Sequence, residues 1–138
     1  MRVRRHQWIA IGTITWLGLS ACAEPHNGFA PEGATPFTPP PFYITLWQQT
    51  ESCSGRTADF GEVSWYVLPS GTSWSSEYGD RLGAWRERDN RITLRAEYVD
   101  DSLVVRHEML HAILRDGRHS VEFFFTRCGE LVAQPNVQ

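Results

Sequence analysis

The chain contains no lysine. Its 13 cationic side chains are all arginines, set against 16 aspartates and glutamates, for a formal net charge of −3 over 138 residues. Three of them, Arg2, Arg4 and Arg5, crowd the first few positions; beyond these, 10 arginines face 16 acids, a net charge of −6. No basic stripe is left, which argues against nucleic acid as a partner. Long apolar runs are missing too. The run at residues 8–19 is shorter than the roughly 20 residues that a helix needs to cross a bilayer. No internal repeat is present, which sets aside solenoid architectures. Cysteine is scarce, at Cys22, Cys53 and Cys128 only. There are five histidines, and three of them, His107, His111 and His119, fall close together.

A positive residue cluster, a short apolar run and then small residues make a secretory signal. Its end, Leu19-Ser20-Ala21-Cys22, resembles the lipobox of bacterial lipoproteins. That resemblance implies removal of residues 1–21, acyl chains on Cys22 and a membrane anchor, each buried methylene adding about 0.8 kcal/mol. Ala23, rather than an aspartate, implies sorting to the outer membrane. With Cys22 lipidated, Cys53 and Cys128 remain as an even pair in an oxidising compartment, which predicts a disulfide. A loop of that length is worth about 4.5 kcal/mol in the chain-entropy account. Residues 22–41 hold six of the eight prolines. Such a segment is expected to be an extended tether, leaving one small domain over residues 42–138.

Within that domain, Phe42, Ile44 and Leu46 alternate with Tyr43, Thr45 and Trp47, which predicts a first strand at residues 42–49. Cys53-Ser54-Gly55 reads as a turn. A second strand is expected at residues 63–68, stopped by Pro69-Ser70-Gly71, and a loop at residues 70–79. A hairpin over residues 82–87 and 91–98 is expected to turn at Asp89-Asn90. Asp100, Asp101 and Ser102 offer N-caps to a helix at residues 103–115, with Gly117 as its C′ residue. A shorter helix follows at residues 120–128 and carries Phe123, Phe124 and Phe125, which are expected to pack in the core. The fold class expected is α+β: a small, twisted, mainly antiparallel sheet packed on the histidine-bearing helix, with a short C-terminal helix.

His107 and His111 are four residues apart on that helix and so lie one above the other. Glu108 stands beside them, and together they form H-E-x-x-H, in which two imidazoles share an ion and the carboxylate reaches a water on it. A catalytic zinc takes a third protein ligand and keeps one position open. His119 is the first choice. The helix climbs about 6 Å from His111 to Arg115, and a chain reversing at Gly117 spans up to about 14 Å over the four steps to His119. Glu122, one turn into the next helix, is the alternative, followed by Asp116, Glu130 or water.

The segment RHEMLHAILRDGRHSVEFF resembles the zincin superfamily. Within it the segment is similar to the minimal, SprT-like metallopeptidases, in which a third His leads into a short helix carrying an aromatic, here His119 and Phe123. Leu114 and Gly117 occupy the positions that metzincins give to Gly and His, so the resemblance is not to that branch. The domain also looks like small bacterial lipoproteins that pair a CSG, here Cys53, Ser54 and Gly55, with HEMLH and a later cysteine, Cys128. The resemblance implies a membrane-tethered peptidase in the cell envelope, with a zinc-bound water attacking a peptide bond and Glu108 as general base. The alternative is a non-catalytic binding lipoprotein on the same scaffold with a structural metal. Tyr98 or Arg106 is a candidate to stabilise the oxyanion. Residues 91–98 are a candidate sheet edge for an extended substrate.

Overall fold

The computed structural model of the protein describes residues 33–76 and 79–134. The expected signal sequence, Cys22 and the first part of the expected tether lie outside the described residues. The fold is α+β. Six strands, β1 (Thr35–Pro36), β2 (Ser64–Leu68), β3 (Ser75–Ser76), β4 (Gly79–Asp80), β5 (Gly83–Arg86) and β6 (Arg91–Arg95), accompany helices α1 (Phe42–Ser54) and α2 (Ser102–Leu114) and a C-terminal π-helix (Val121–Arg127). The main sheet has the order β1-β2-β6-β5, and β3 and β4 form a separate two-stranded ribbon. The outer pairs are antiparallel, but the central pair, β2 with β6, is parallel, with Trp65 opposite Ile92 and Val67 opposite Leu94.

The strand expected at residues 42–49 is instead the start of α1. Its buried positions, Tyr43, Leu46, Trp47, Thr50 and Ser54, recur at helical spacing. Residues 42–47 are all β-branched, aromatic or aliphatic, so a two-residue period could be drawn through them. The period that decides is the one that continues past Gln48 into Thr50 and Ser54. Prolines 39–41 lead into the first turn, where a missing N–H costs nothing. Gly55 ends the helix in the left-handed region at φ 67°, with its N–H on Glu51 O. Cys53 therefore lies on a helix and not at the head of the sheet.

The tether also stops earlier than its composition suggests. Thr35 and Pro36 pair with Val67 and Tyr66, and the Phe37 N–H donates to Trp65 O at 2.9 Å. Phe37 packs on the main core. An edge strand tolerates proline, so Pro36 does not bar the pairing, and the fold begins upstream of Phe42.

α1 and α2 cover one face of the sheet. Tyr43, Leu46 and Trp47 from α1 meet Trp65, Trp85, Ile92 and Leu94 from the strands and Val105, Met109, Ala112 and Ile113 from α2. Leu68 and Ala84 point to the other face and are covered by Trp74. A third cluster places Leu110 of α2 against Phe124, Cys128 and Val132. The expected hairpin is present as β5 and β6, joined through Asn90 at φ 47°. The Asn90 side chain accepts from Trp85 Nε1 and donates to Glu62 O, which fixes the turn to the core. The Cys53–Cys128 disulfide is present and ties the end of α1 to the residue after the π-helix.

Candidate metal centre

The centre is built on α2. Asp101 caps that helix, its carboxylate accepting from the N–H of Leu103 at 2.9 Å and of Val104 at 3.2 Å. The helix stops at Leu114, where Arg115 takes the left-handed conformation at φ 53°. The reversal therefore falls at Arg115 rather than at Gly117. Asp116 then holds a tight turn: its carboxylate accepts from the Arg118 backbone N–H and from the Arg118 guanidinium at 2.9–3.2 Å. This turn returns the chain to the level of His107 and presents His119 just ahead of the π-helix.

The three imidazoles converge. His107 Nε2 lies 3.0 Å from His119 Nε2, His111 Nε2 lies 3.1 Å from His119 Nε2, and the two helix nitrogens are 3.2 Å apart. His107 Nδ1 is 2.6 Å from Ala133 O, and His111 Nδ1 is 2.7 Å from Asp116 O. A carbonyl oxygen can only accept, so both Nδ1 atoms carry the proton and donate. Both Nε2 lone pairs are then bare and face each other at 3.2 Å with no proton to bridge them. A shared cation resolves that repulsion. Nitrogens bound to one zinc at about 2.0–2.1 Å lie roughly 3.0–3.4 Å apart, so the donor set fits. A backbone carbonyl behind each imidazole is also the usual way of fixing the ligating tautomer.

His111 is buried, His107 half-buried and His119 exposed. Burial holds the imidazoles in their neutral form: desolvation, with the partner histidines, pulls His107 down to about 4 and His111 down to about 3. Phe124 lies under all three rings, with centroids at 4.6–5.0 Å. Trp85 is parallel to His111 within 6°.

Glu108 is buried at 6% exposure beneath β5. Desolvation pushes its carboxyl up to about 8, opposed by the Trp85 N–H and by the charge of Arg81. Gly83 makes room for it. A Cβ there would lie 3.0 Å from Glu108 Cγ, 3.1 Å from Oε1 and 2.9 Å from Leu94 Cδ2. A cleft of about 730 Å³ opens over the histidines and Glu108, walled by β5, Arg81, Arg118 and Gln134.

Among the sequence-derived candidates, His107, Glu108, His111 and His119 come together on this cleft. Glu122 does not join them; it is exposed and accepts from Arg127 at 3.4 Å. Asp116 contributes its carbonyl and not its carboxylate, and Glu130 is exposed and outside the group. The aromatic beneath the histidines is Phe124 and not Phe123, which packs at the edge of the same cluster under Arg56 and Arg127. Arg106 cannot serve an oxyanion, because its guanidinium is held by Leu131 O, Gln49 Oε1 and Ser102 Oγ. Tyr98 packs on the main core and does not line the cleft. Residues 91–95 are interior to the sheet; the edge beside the cleft is β5. Sequence reasoning passed over Gly83, Trp85, Asp116 O, Ala133 O and Arg81. A lone glycine at the head of a strand was the one visible hint, since it often marks a close approach.

Compared with protein-family models, curated proteins and solved structures, the chain matches none.

Proposed function

We propose that the protein is an extracytoplasmic zinc-dependent peptidase, held at the membrane through Cys22. The observation that carries this reading is the triangle of three Nε2 atoms, 3.0–3.2 Å apart, at the floor of a cleft that also holds a buried glutamate. Structural zinc sites are closed by four protein ligands, whereas catalytic ones keep three and an open position. Three convergent imidazoles facing a cleft, with both remaining cysteines in a disulfide, match the second pattern. A zinc ion held by His107, His111 and His119 supplies a Lewis acid that acidifies water and polarises a carbonyl.

The chain's own residues do the rest. The carbonyls of Ala133 and Asp116 hold two imidazoles in the ligating tautomer. Glu108 accepts the proton from the attacking water and returns it to the leaving amine. The Trp85 N–H fixes the orientation of its carboxylate, and Gly83 leaves it space. An extended peptide can add to the open edge of β5 by backbone hydrogen bonds. The lipobox-like Leu19-Ser20-Ala21-Cys22 and the acidic, arginine-only composition support an envelope location and a substrate other than nucleic acid.

Two kinds of variant test the reading. Glu108→Gln keeps shape and ligands, so zinc stays near one per chain while cleavage of a peptide library falls by about 10² to 10⁴. His119→Ala removes a ligand, and both zinc and cleavage are lost. Full zinc in His119→Ala removes the third ligand. Unchanged cleavage in Glu108→Gln removes the peptidase mechanism and leaves a structural metal.

A further inference from the structure

A second charged group faces the cleft, and the mechanism above does not use it. Arg81 stands at the entry to β5, its backbone N–H donating to Trp74 O at 2.8 Å. Its Cα is thereby fixed between the β3–β4 ribbon and the edge strand. The side chain lines the same cleft as Glu108 and the three histidines. Its Nε–H is buried without an acceptor. Among the described residues the guanidinium makes no ion pair and no hydrogen bond, although Asp80 is its neighbour and lines the cleft too. The contrast with nearby arginines is direct. Arg118, which also lines the cleft, is held by both oxygens of Asp116, and Arg106 is held by three acceptors.

Nε is shielded, whereas the two terminal nitrogens are neither buried nor hydrogen-bonded among the described residues. A ligand in the cleft can bring them an acceptor. The planar fork of a guanidinium matches a carboxylate through two parallel hydrogen bonds. The location tells which part of a ligand would be held. Arg81 leads directly into Gly83, where an added Cβ would lie 3.0 Å from Glu108 Cγ. Arg81 therefore enters the cleft beside the general base. An acceptor bound there belongs to a residue flanking the scissile bond and not to the oxyanion.

We propose that Arg81 anchors a substrate carboxylate in the cleft, making the site selective for peptides with a free C-terminus or an acidic side chain next to the cleaved bond. This selectivity rests on the peptidase reading, but the anchor can be measured without turnover.

The test uses the zinc-loaded chain and matched pairs of fluorogenic peptides. One pair differs in a C-terminal acid against its amide, the other in Glu against Gln beside the scissile bond. The acid member of one pair is expected to show a kcat/KM about 10- to 100-fold higher, the range for a charged hydrogen bond, expressed mainly in KM. The pair that discriminates identifies the source of the carboxylate. Arg81→Gln is expected to abolish the preference, and Arg81→Lys to keep part of it, with zinc content and melting temperature unchanged in both. Equal turnover of acid and neutral members in both pairs overturns the anchor, as does a preference that survives Arg81→Gln. If no peptide is cut, calorimetric binding of the same pairs decides. An Arg81-dependent preference for the acid retains the anchor and discards the peptidase reading; no preference overturns the anchor. Should Arg81→Gln fail to fold, Arg81→Lys decides, since an undiminished preference with a point charge in place of the fork counts against bidentate anchoring.

Discussion

At the scale of single residues the centre depends on what surrounds Glu108. Gly83 is under tight steric constraint without an unusual φ. A Cβ added there would lie 2.9–3.1 Å from Leu94 and Glu108, both buried. Gly83→Ala is expected to cost about 1–3 kcal/mol through overpacking and to displace the carboxyl. Peptide turnover should fall at least about 10-fold, the cost of moving a general base out of line, with zinc per chain unchanged. Metal analysis beside a kinetic assay separates the two effects, and full activity would show that Glu108 is not held from this side. Glu108 also sets a pH dependence in the metal-free protein. Its folded pKa, about 8, lies above its ordinary 4.5. A raised carboxyl pKa contributes stability that is fully present below 4.5 and is lost as pH rises through 8. His107 and His111 are depressed from 6.5, so their influence is confined to pH below 6.5. Between pH 6.5 and 8 Glu108 is thus the site group that governs the slope. Thermal melts in a chelator should fall across that window for the natural chain and stay level for Glu108→Gln. Parallel profiles would contradict the burial of this carboxyl.

At the scale of elements His119 is held by two short pieces rather than by a long helix. The turn at residues 115–118 supplies direction, and the π-helix supplies the floor. Its i to i+5 bond, Cys128 N–H to Phe123 O at 3.0 Å, widens the turn. Phe124, fully buried, then reaches all three imidazoles, while Ser120 caps the start. Cys128 closes this element onto α1 through Cys53. Opening that bond by Cys53→Ser with Cys128→Ser is expected to cost about 2–5 kcal/mol. It should also weaken zinc binding, because the π-helix that orients His119 loses its tie. Competition with a fluorescent zinc chelator reads this directly. An affinity equal to that of the natural chain would mean that the core contacts of Phe124 and Val132 hold the element unaided.

At the scale of the molecule, residues 131–134 lace the layers together. Ala133 N–H donates to Leu103 O at 2.9 Å, Arg106 Nε donates to Leu131 O, and Ala133 O accepts from His107 Nδ1. The last described segment thus belongs to the metal centre as much as α2 does. At the other end, β1 already pairs with β2, so the sheet reaches upstream of Phe42 and the span from Cys22 to it is shorter than the proline content implies. Cys22→Ser is expected to move the exported protein from the membrane to the soluble fraction, or to stop signal processing, as read by fractionation and intact mass. Unchanged partitioning and processing would remove the lipid anchor.

Much of this protein is legible in the residues alone. The i, i+4 spacing of His107 and His111, the cap at Asp101, the β5–β6 hairpin and the cysteine pair all follow from local periodicity, local capping and simple parity. Those signals are short-range, and no distant contact reverses them. Helix α1 was not legible, because six consecutive strand-favouring residues satisfy two periods at once and only burial against β2 and α2 selects one. The parallel register of β2 with β6 and the pairing of Thr35 and Pro36 are long-range choices with no local mark. The carbonyls behind the imidazoles belong to Asp116 and Ala133, and every residue type has a carbonyl. The fit of Gly83 over Glu108, the choice of Phe124 over Phe123 and the unpaired guanidinium of Arg81 are matters of which surfaces meet. Chain reach allowed His119 to return to His107 and His111, but packing of the π-helix against α2 and the disulfide decided that it does.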